Sequence, residues 1–281
     1  MEARYGPWAV VAGASEGLGA AFAGELARRG FNLVLVARRE EILRELAEDL
    51  QGRTGAENRV VVGDLALEET LRMVAEVCDE VDVGLLVYNA AAAPRGDFAG
   101  TGVEELRGAV AVNVAGPVEL VHRLLPLFAR RSGAPDGGAA ERRAGIILMS
   151  SLAGDQGSPG VVTYAAGKAF TTVLGQGLWY ELRPQGIDVT VCVAGAVRTP
   201  GLAAAREAGA DEREAPGTLD PDAVVRAALA GLGRRAVVVP GVVNRLARFV
   251  MRRLLPSRAA VAIMASSTRQ LTQATREHTD G

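Results

Sequence analysis

The chain has 281 residues, 49% of them apolar and only 4% aromatic, a composition that suits one α/β domain with a core of Ala, Val and Leu. Its 31 basic and 33 acidic side chains nearly cancel, to a net charge of -2, so nothing in the balance invites nucleic acid. Cys78 and Cys192 stand far apart, and His122 and His278 are the only histidines, which leaves no plausible zinc or iron ligand set and points to buried thiols in a reduced, cytoplasmic protein.

Glu2 and Arg4 lead straight into the apolar run from Trp8 to Ala12, leaving no room for a signal peptide. No stretch of 18 apolar residues is free of charge, so no transmembrane helix is expected. Strands are predicted near Trp8 to Val11, Asn32 to Val36, Arg59 to Val62, Val83 to Val87, Ile146 to Met149, Asp188 to Val193 and Ala236 to Val239. Helical patterns fill the gaps at Gly19 to Arg29, Glu40 to Leu50, Leu67 to Cys78, Val103 to Arg131, Val162 to Arg183 and Pro221 to Leu232. Such alternation predicts an α/β fold, a doubly wound parallel sheet of about seven strands with helices on both faces. We place one domain over 1–240 and a helical extension over 241–281. Ser132 to Ala144 reads as a surface loop. Ala203 to Leu219, within a substrate loop at about 195–220, follows the carboxyl end of a strand and is either a lid or a solvated connector.

Between the first strand and the first helix lies Gly13-Ala14-Ser15-Glu16-Gly17-Leu18-Gly19. Glycines there let the backbone turn sharply and approach a pyrophosphate, whose charge meets the amides at the start of the helix. An Asp or Glu at the end of the second strand would bind the ribose hydroxyls of NAD. This chain has Arg38 and Arg39 instead, which could pair with the 2′-phosphate of NADP(H), with the Ser15 hydroxyl beside them. The alternative is an ordinary exposed pair opening a helix, although cations there oppose the helix dipole.

Tyr164 and Lys168 are four apart in a helical pattern and share one face. A phenol is a poor acid-base catalyst at neutral pH, and a neighbouring ammonium together with an oxidised nicotinamide would favour its ionised form. The chain carries 30 Arg and one Lys, and that lysine is Lys168, where a compact ammonium suits the geometry better than a broad guanidinium. Ser151, or alternatively Ser150, just past a strand end, could hydrogen-bond a reacting oxygen. Asn113, polar among Val110, Ala111, Val112 and Val114, needs a buried partner or a ligand, and taken alone reads as a helix irregularity.

Together these residues resemble the short-chain dehydrogenase/reductase family in its single-domain branch, from Trp8 to about Pro240. The resemblance implies a three-layer Rossmann fold and an oxidoreductase with Asn113, Ser151, Tyr164 and Lys168 as catalytic residues. It implies a dinucleotide held along Gly13, Ser15, Glu16, Gly17, Leu18 and Gly19. Asp64 would sit by the adenine, Asn89 would steady the central sheet, Leu65, Asn89, Ala90 and Ala91 would also bind the cofactor, and Gly195, Val197 and Thr199 would bind its nicotinamide end. Lys168 would also hold the nicotinamide ribose, and Asn113 would support a water relay to it. Three residues depart from the family pattern: Ala12 stands for the usual Thr, Ala91 for Gly and Ala194 for Pro. None removes a reacting group.

From Asn244 to Arg258 five arginines alternate with Leu246, Phe249, Val250, Leu254 and Leu255, a basic amphipathic helix. It reads as a membrane-surface helix or as one packed over the cleft or against another subunit with its arginines in water; the lack of a second anchor favours packing. The resemblance also implies a homodimer or homotetramer. The leading functional expectation is an NADP(H)-dependent carbonyl reductase or alcohol dehydrogenase for a small to medium apolar substrate. The alternatives are NAD-linked alcohol oxidation, against which Arg38 argues, and a dinucleotide-binding regulator without turnover.

Overall fold

The computed structural model describes residues 1–133, 142–199 and 215–276, with side chains to residue 266. Its sheet is wholly parallel, ordered β3-β2-β1-β4-β5-β6-β7. The strands are β1 (Trp8–Ala12), β2 (Asn32–Ala37), β3 (Asn58–Val62), β4 (Val83–Tyr88), β5 (Ala144–Ser151), β6 (Ile187–Ala194) and β7 (Val237–Val238). β1, β4 and β6 are buried along their whole length, because parallel strands covered by helices on both faces must be apolar on both.

Alternate residues feed two layers, as the two-residue period of a strand requires. Val11 and Leu35 join Phe22 and Leu26 of α2 (Gly17–Arg28), Leu43 of α3 (Glu40–Thr54) and Leu229, on the first face. Val10 and Leu86 join Val74 of α4 (Glu68–Asp79) and Leu124 and Phe128 of α6 (Gly116–Gly133) on the second. At the amino ends of the strands, the short α1 (Glu2–Tyr5) is tied in by charge: Asp188 accepts from Tyr5 at 2.6 Å and from Arg143 at 2.9 Å. Burial pushes the Asp188 carboxyl up, yet Arg143, Tyr5 and Arg4 outweigh it and hold the group below its ordinary value.

The long helix expected from Val103 to Arg131 is three pieces: α5 (Val103–Val110), a π turn (Ala111–Ala115) and α6. The wide turn carries Asn113 to the backbone of Ala92, where it donates at 2.6 Å and accepts at 3.1 Å. The Tyr88 hydroxyl meets the Val112 carbonyl at 2.8 Å beside it. Further along the chain, α7 (Val162–Glu181) and α8 (Pro221–Gly231) are continuous helices. The C-terminal helix expected from Asn244 to Arg258 is α9 (Val242–Phe249), a π turn (Val250–Leu254) and, beyond an extended Leu255, α10 (Ser257–Arg276). Pro256 explains the break, since proline disfavours a helical residue before it.

The expected last strand shrinks to two residues. Most of the loop after α6 and of the expected lid, 134–141 and 200–214, falls outside the described residues. The base of the latter is pinned: Val197 bridges to Leu219, and Arg198 meets Asp220 at 2.7 Å.

Candidate active site

Strand order reverses between β1 and β4, which opens a crevice at their carboxyl ends, the place where such sheets bind ligands. The turn from β1 into α2 lies against the exit of β4. Gly13 adopts φ 84°, and a Cβ on it would lie 2.7 Å from the Ala90 backbone. A Cβ on Gly19 would collide with the Gly13 carbonyl. Only glycine allows either approach. Asn89 donates to that carbonyl at 2.9 Å and locks the turn to β4. Glu16, at the N-cap of α2, makes no side-chain cap, so the first amides of the helix are left for a ligand.

Two clefts open from this turn and share Asn89 and Ala91. The first, about 400 Å³, is lined by Gly13, Ser15 and Glu16, by Arg38 and Arg39 past the end of β2, by Asp64 and Leu65 after β3, and by Asn89, Ala90 and Ala91 after β4. Arg39 donates to Ser15 at 3.0 Å and pairs with Glu16 at 2.9 Å. Arg38, largely exposed, reaches to 3.9 Å of Asp64. Exposed pairs of this kind are weak, so both guanidiniums are available to a more highly charged partner.

The second cleft, about 230 Å³, brings together Leu18, Ser151, Tyr164, Lys168, Gly195, Val197 and Thr199. Tyr164 and Lys168 lie one turn apart on α7, with the Lys168 Nζ 5.6 Å from the centre of the Tyr164 ring. That ammonium is buried and donates to the Met149 carbonyl at 2.8 Å. Burial pulls its pKa down to about 8. Burial also pushes the Tyr164 phenol above its ordinary value, while a hydrogen bond with Ser151 works the other way. Of these two opposed effects on the phenol, desolvation is the larger.

The two serines separate clearly. Ser150 is buried, its hydroxyl engaged by the Lys168 carbonyl at 2.7 Å and by Thr172 at 2.8 Å. Ser151 closes β5 beside Tyr164 and accepts from the Ala153 amide at 3.2 Å.

Three expected residues line neither cleft: Gly17, Gly19 and Asn113. Gly17 lies under the Thr199 side chain and Gly19 under Gly13. Asn113, expected among the catalytic residues, has both ends of its amide occupied by Ala92. It also packs on α7, because a Cβ on Gly167 would lie 2.7 Å from its own.

Sequence reasoning missed Asn244, which is buried, donates to Gly217 and Pro240 at 3.0 Å each, and packs against Gly195. A lone amide among Val242, Val243 and Leu246 was its signal. Met149 was also missed; it acts through its carbonyl, which no side-chain pattern reveals.

A basic end, a glycine turn with free helix amides, and a buried lysine with a tyrosine at the far end make a donor set that fits a dinucleotide. The family model for short chain dehydrogenase matches residues 7–210, and the chain belongs to this family of nicotinamide-dinucleotide oxidoreductases. A 7beta-hydroxysteroid dehydrogenase of Mediterraneibacter gnavus is 30% identical over 246 residues, covering 87% of this chain and 90% of the relative. A structure reported for 7beta-hydroxysteroid dehydrogenase stereoselectivity superposes with a TM-score of 0.83 at 28% identity, covering 94% of this chain and 98% of that one. A short-chain dehydrogenase from Sphingobium yanoikuyae, solved in complex with NADPH, has a TM-score of 0.72 at 31% identity over 84% of this chain and 88% of that one.

Proposed function

We propose that this chain is an NADPH-dependent carbonyl reductase for a ketone on a bulky, largely apolar skeleton, with Tyr164 as its general acid. The observation that carries the reading is the meeting of Ser151, Tyr164 and Lys168 in one cleft that continues, through Asn89 and Ala91, into the cleft holding Arg38 and Arg39. Arg38, Arg39 and Ser15 would hold the 2′-phosphate, by charge-assisted contacts stronger than their present surface pairs. The amides that open α2 would meet the pyrophosphate. Lys168 would hold the ribose at the nicotinamide end.

The reduced nicotinamide supplies a hydride to the carbonyl carbon when bound. Ser151 hydrogen-bonds the carbonyl oxygen as negative charge grows there, and Tyr164 gives that oxygen its proton. A phenol pushed up by burial stays protonated through the neutral range, which suits reduction. An apolar substrate accords with the hydroxysteroid relative and with a cleft whose charged groups belong to the catalytic set.

The reading is tested by titrating the protein with NADPH and NADH, then following oxidation of the preferred cofactor against ketones that include a 7-oxosteroid. Tyr164→Phe should lower turnover by roughly 10²-fold or more with NADPH affinity kept within about threefold. Wild-type turnover in that variant would remove Tyr164 from the mechanism, and equal affinity for the two cofactors would remove Arg38 and Arg39 from the phosphate site.

A further inference from the structure

The C-terminal helix α9 is turned the opposite way from that of a packed amphipathic helix. Its polar stripe faces the body of the protein: Asn244 is buried against Gly217 and Pro240. One turn on, Arg248, with a side chain 14% exposed, holds both oxygens of the buried Asp155 at 2.9 and 3.1 Å. Its apolar stripe faces out, with Val242 70%, Leu246 62% and Phe249 56% exposed. Residues 242, 246 and 249 stack on one face of a helix, and the exposed Arg245 and Arg253 border that face.

The charge around this face is far from that of the whole chain. From residue 242 to 258, over α9 and the turn that follows it, there are five arginines and no aspartate or glutamate, while the rest of the chain carries 26 basic and 33 acidic side chains. A twofold contact between two copies of this face would bring like charges together, since such an interface pairs one patch with itself. An anionic surface is attracted by the arginines and takes up the apolar side chains between them.

We propose that α9 is a peripheral docking face for anionic lipid bilayers, with Val242, Leu246 and Phe249 entering the interface and Arg245 and Arg253 meeting lipid phosphates. The ion pair of Arg248 with Asp155 fixes the helix with its apolar side outward, so the face is built into the fold before any lipid is met. This inference does not rest on the proposed reduction, because lipid binding is read without turnover.

The test is cosedimentation of the full chain with phosphatidylcholine vesicles and with vesicles carrying about a third phosphatidylglycerol. The bound fraction should rise at least about tenfold with the anionic lipid and collapse in about 0.5 M salt, where charges are screened beyond a few ångströms. Leu246→Glu with Phe249→Glu should abolish binding while circular dichroism is unchanged, since both side chains are exposed. Arg245→Gln with Arg253→Gln should remove the preference for anionic lipid. Failure of the wild type to bind anionic vesicles, or undiminished binding by the double-glutamate variant, overturns the proposal. So does a change of that variant from dimer to monomer in a protein that ignores vesicles, which would assign the face to a second copy.

Discussion

Replacing Lys168 by methionine isolates the cost of holding a cation beneath the candidate site. Burial lowers this lysine from its ordinary 10.5 to about 8, so between these two values the unfolded chain binds a proton that the folded protein has released. Stability must therefore rise with pH across that window. At about 1.4 kcal/mol per unit, the penalty at pH 7 is about 3 kcal/mol and falls to about 1 kcal/mol at pH 9.5. Other groups oppose this trend: burial raises Cys78 and Cys192 to about 12 and also raises Tyr5 and Tyr88, and such groups lose stability as pH climbs past their unfolded values. Their contribution cancels when wild type is compared with Lys168→Met at each pH. So does the unpaired Met149 carbonyl left by the substitution, whose cost does not depend on pH.

Urea unfolding of both proteins, without cofactor, at about pH 7 and about pH 9.5 should show the stability difference moving by about 2 kcal/mol toward the wild type at the higher pH. A difference that stays constant within about 0.5 kcal/mol would mean that Lys168 is not titrated by burial, and the reasoning about the site's electrostatics would fail with it.

Arg38→Asp should weaken NADPH binding by about 10- to 100-fold, through the loss of one charge-assisted contact, while NADH binding holds or tightens because the new carboxylate can accept from the ribose hydroxyls; fluorescence titration of both cofactors checks this. Ser151→Ala should lower kcat of ketone reduction by about 10²-fold with NADPH affinity retained, and equal losses in kcat and affinity would instead make Ser151 a structural cap of the turn after β5. Ketone reduction should fall above about pH 8 as Lys168 loses its proton, whereas alcohol oxidation should keep rising with pH because Tyr164, pushed up by burial, must ionise to accept a proton. Initial rates in both directions across the alkaline range decide that point.

Most of the fold was legible because its signals are local. Parallel strands buried on both faces read as unbroken apolar runs, as at Trp8 to Ala12 and Leu33 to Ala37, and the glycine turn announces itself by spacing. Legibility ended where the deciding contact is distant in sequence. The π turn at Ala111–Ala115 depends on Ala92, 21 residues from Asn113, and periodicity across one helix cannot register it. Ser150 and Ser151 are neighbours of identical chemistry, told apart only by which one α7 covers.

The same limit reversed the reading of α9, and the reason is quantitative. An amphipathic pattern states that one stripe is apolar but leaves open which stripe meets the protein, and area alone would bury Leu246 and Phe249, worth about 2 kcal/mol each. Against that stands Asp155, whose side chain is only 6% exposed. A buried carboxylate without its cation costs about 3–5 kcal/mol, so the turn after Ser151 demands an arginine, and Arg248 supplies it from 93 residues away. Once Arg248 and Asn244 face inward, helical geometry forces Val242, Leu246 and Phe249 outward. The exposed apolar face is thus a consequence of stabilising the turn beside Ser151, and it ties the outer surface of the protein to the candidate active site.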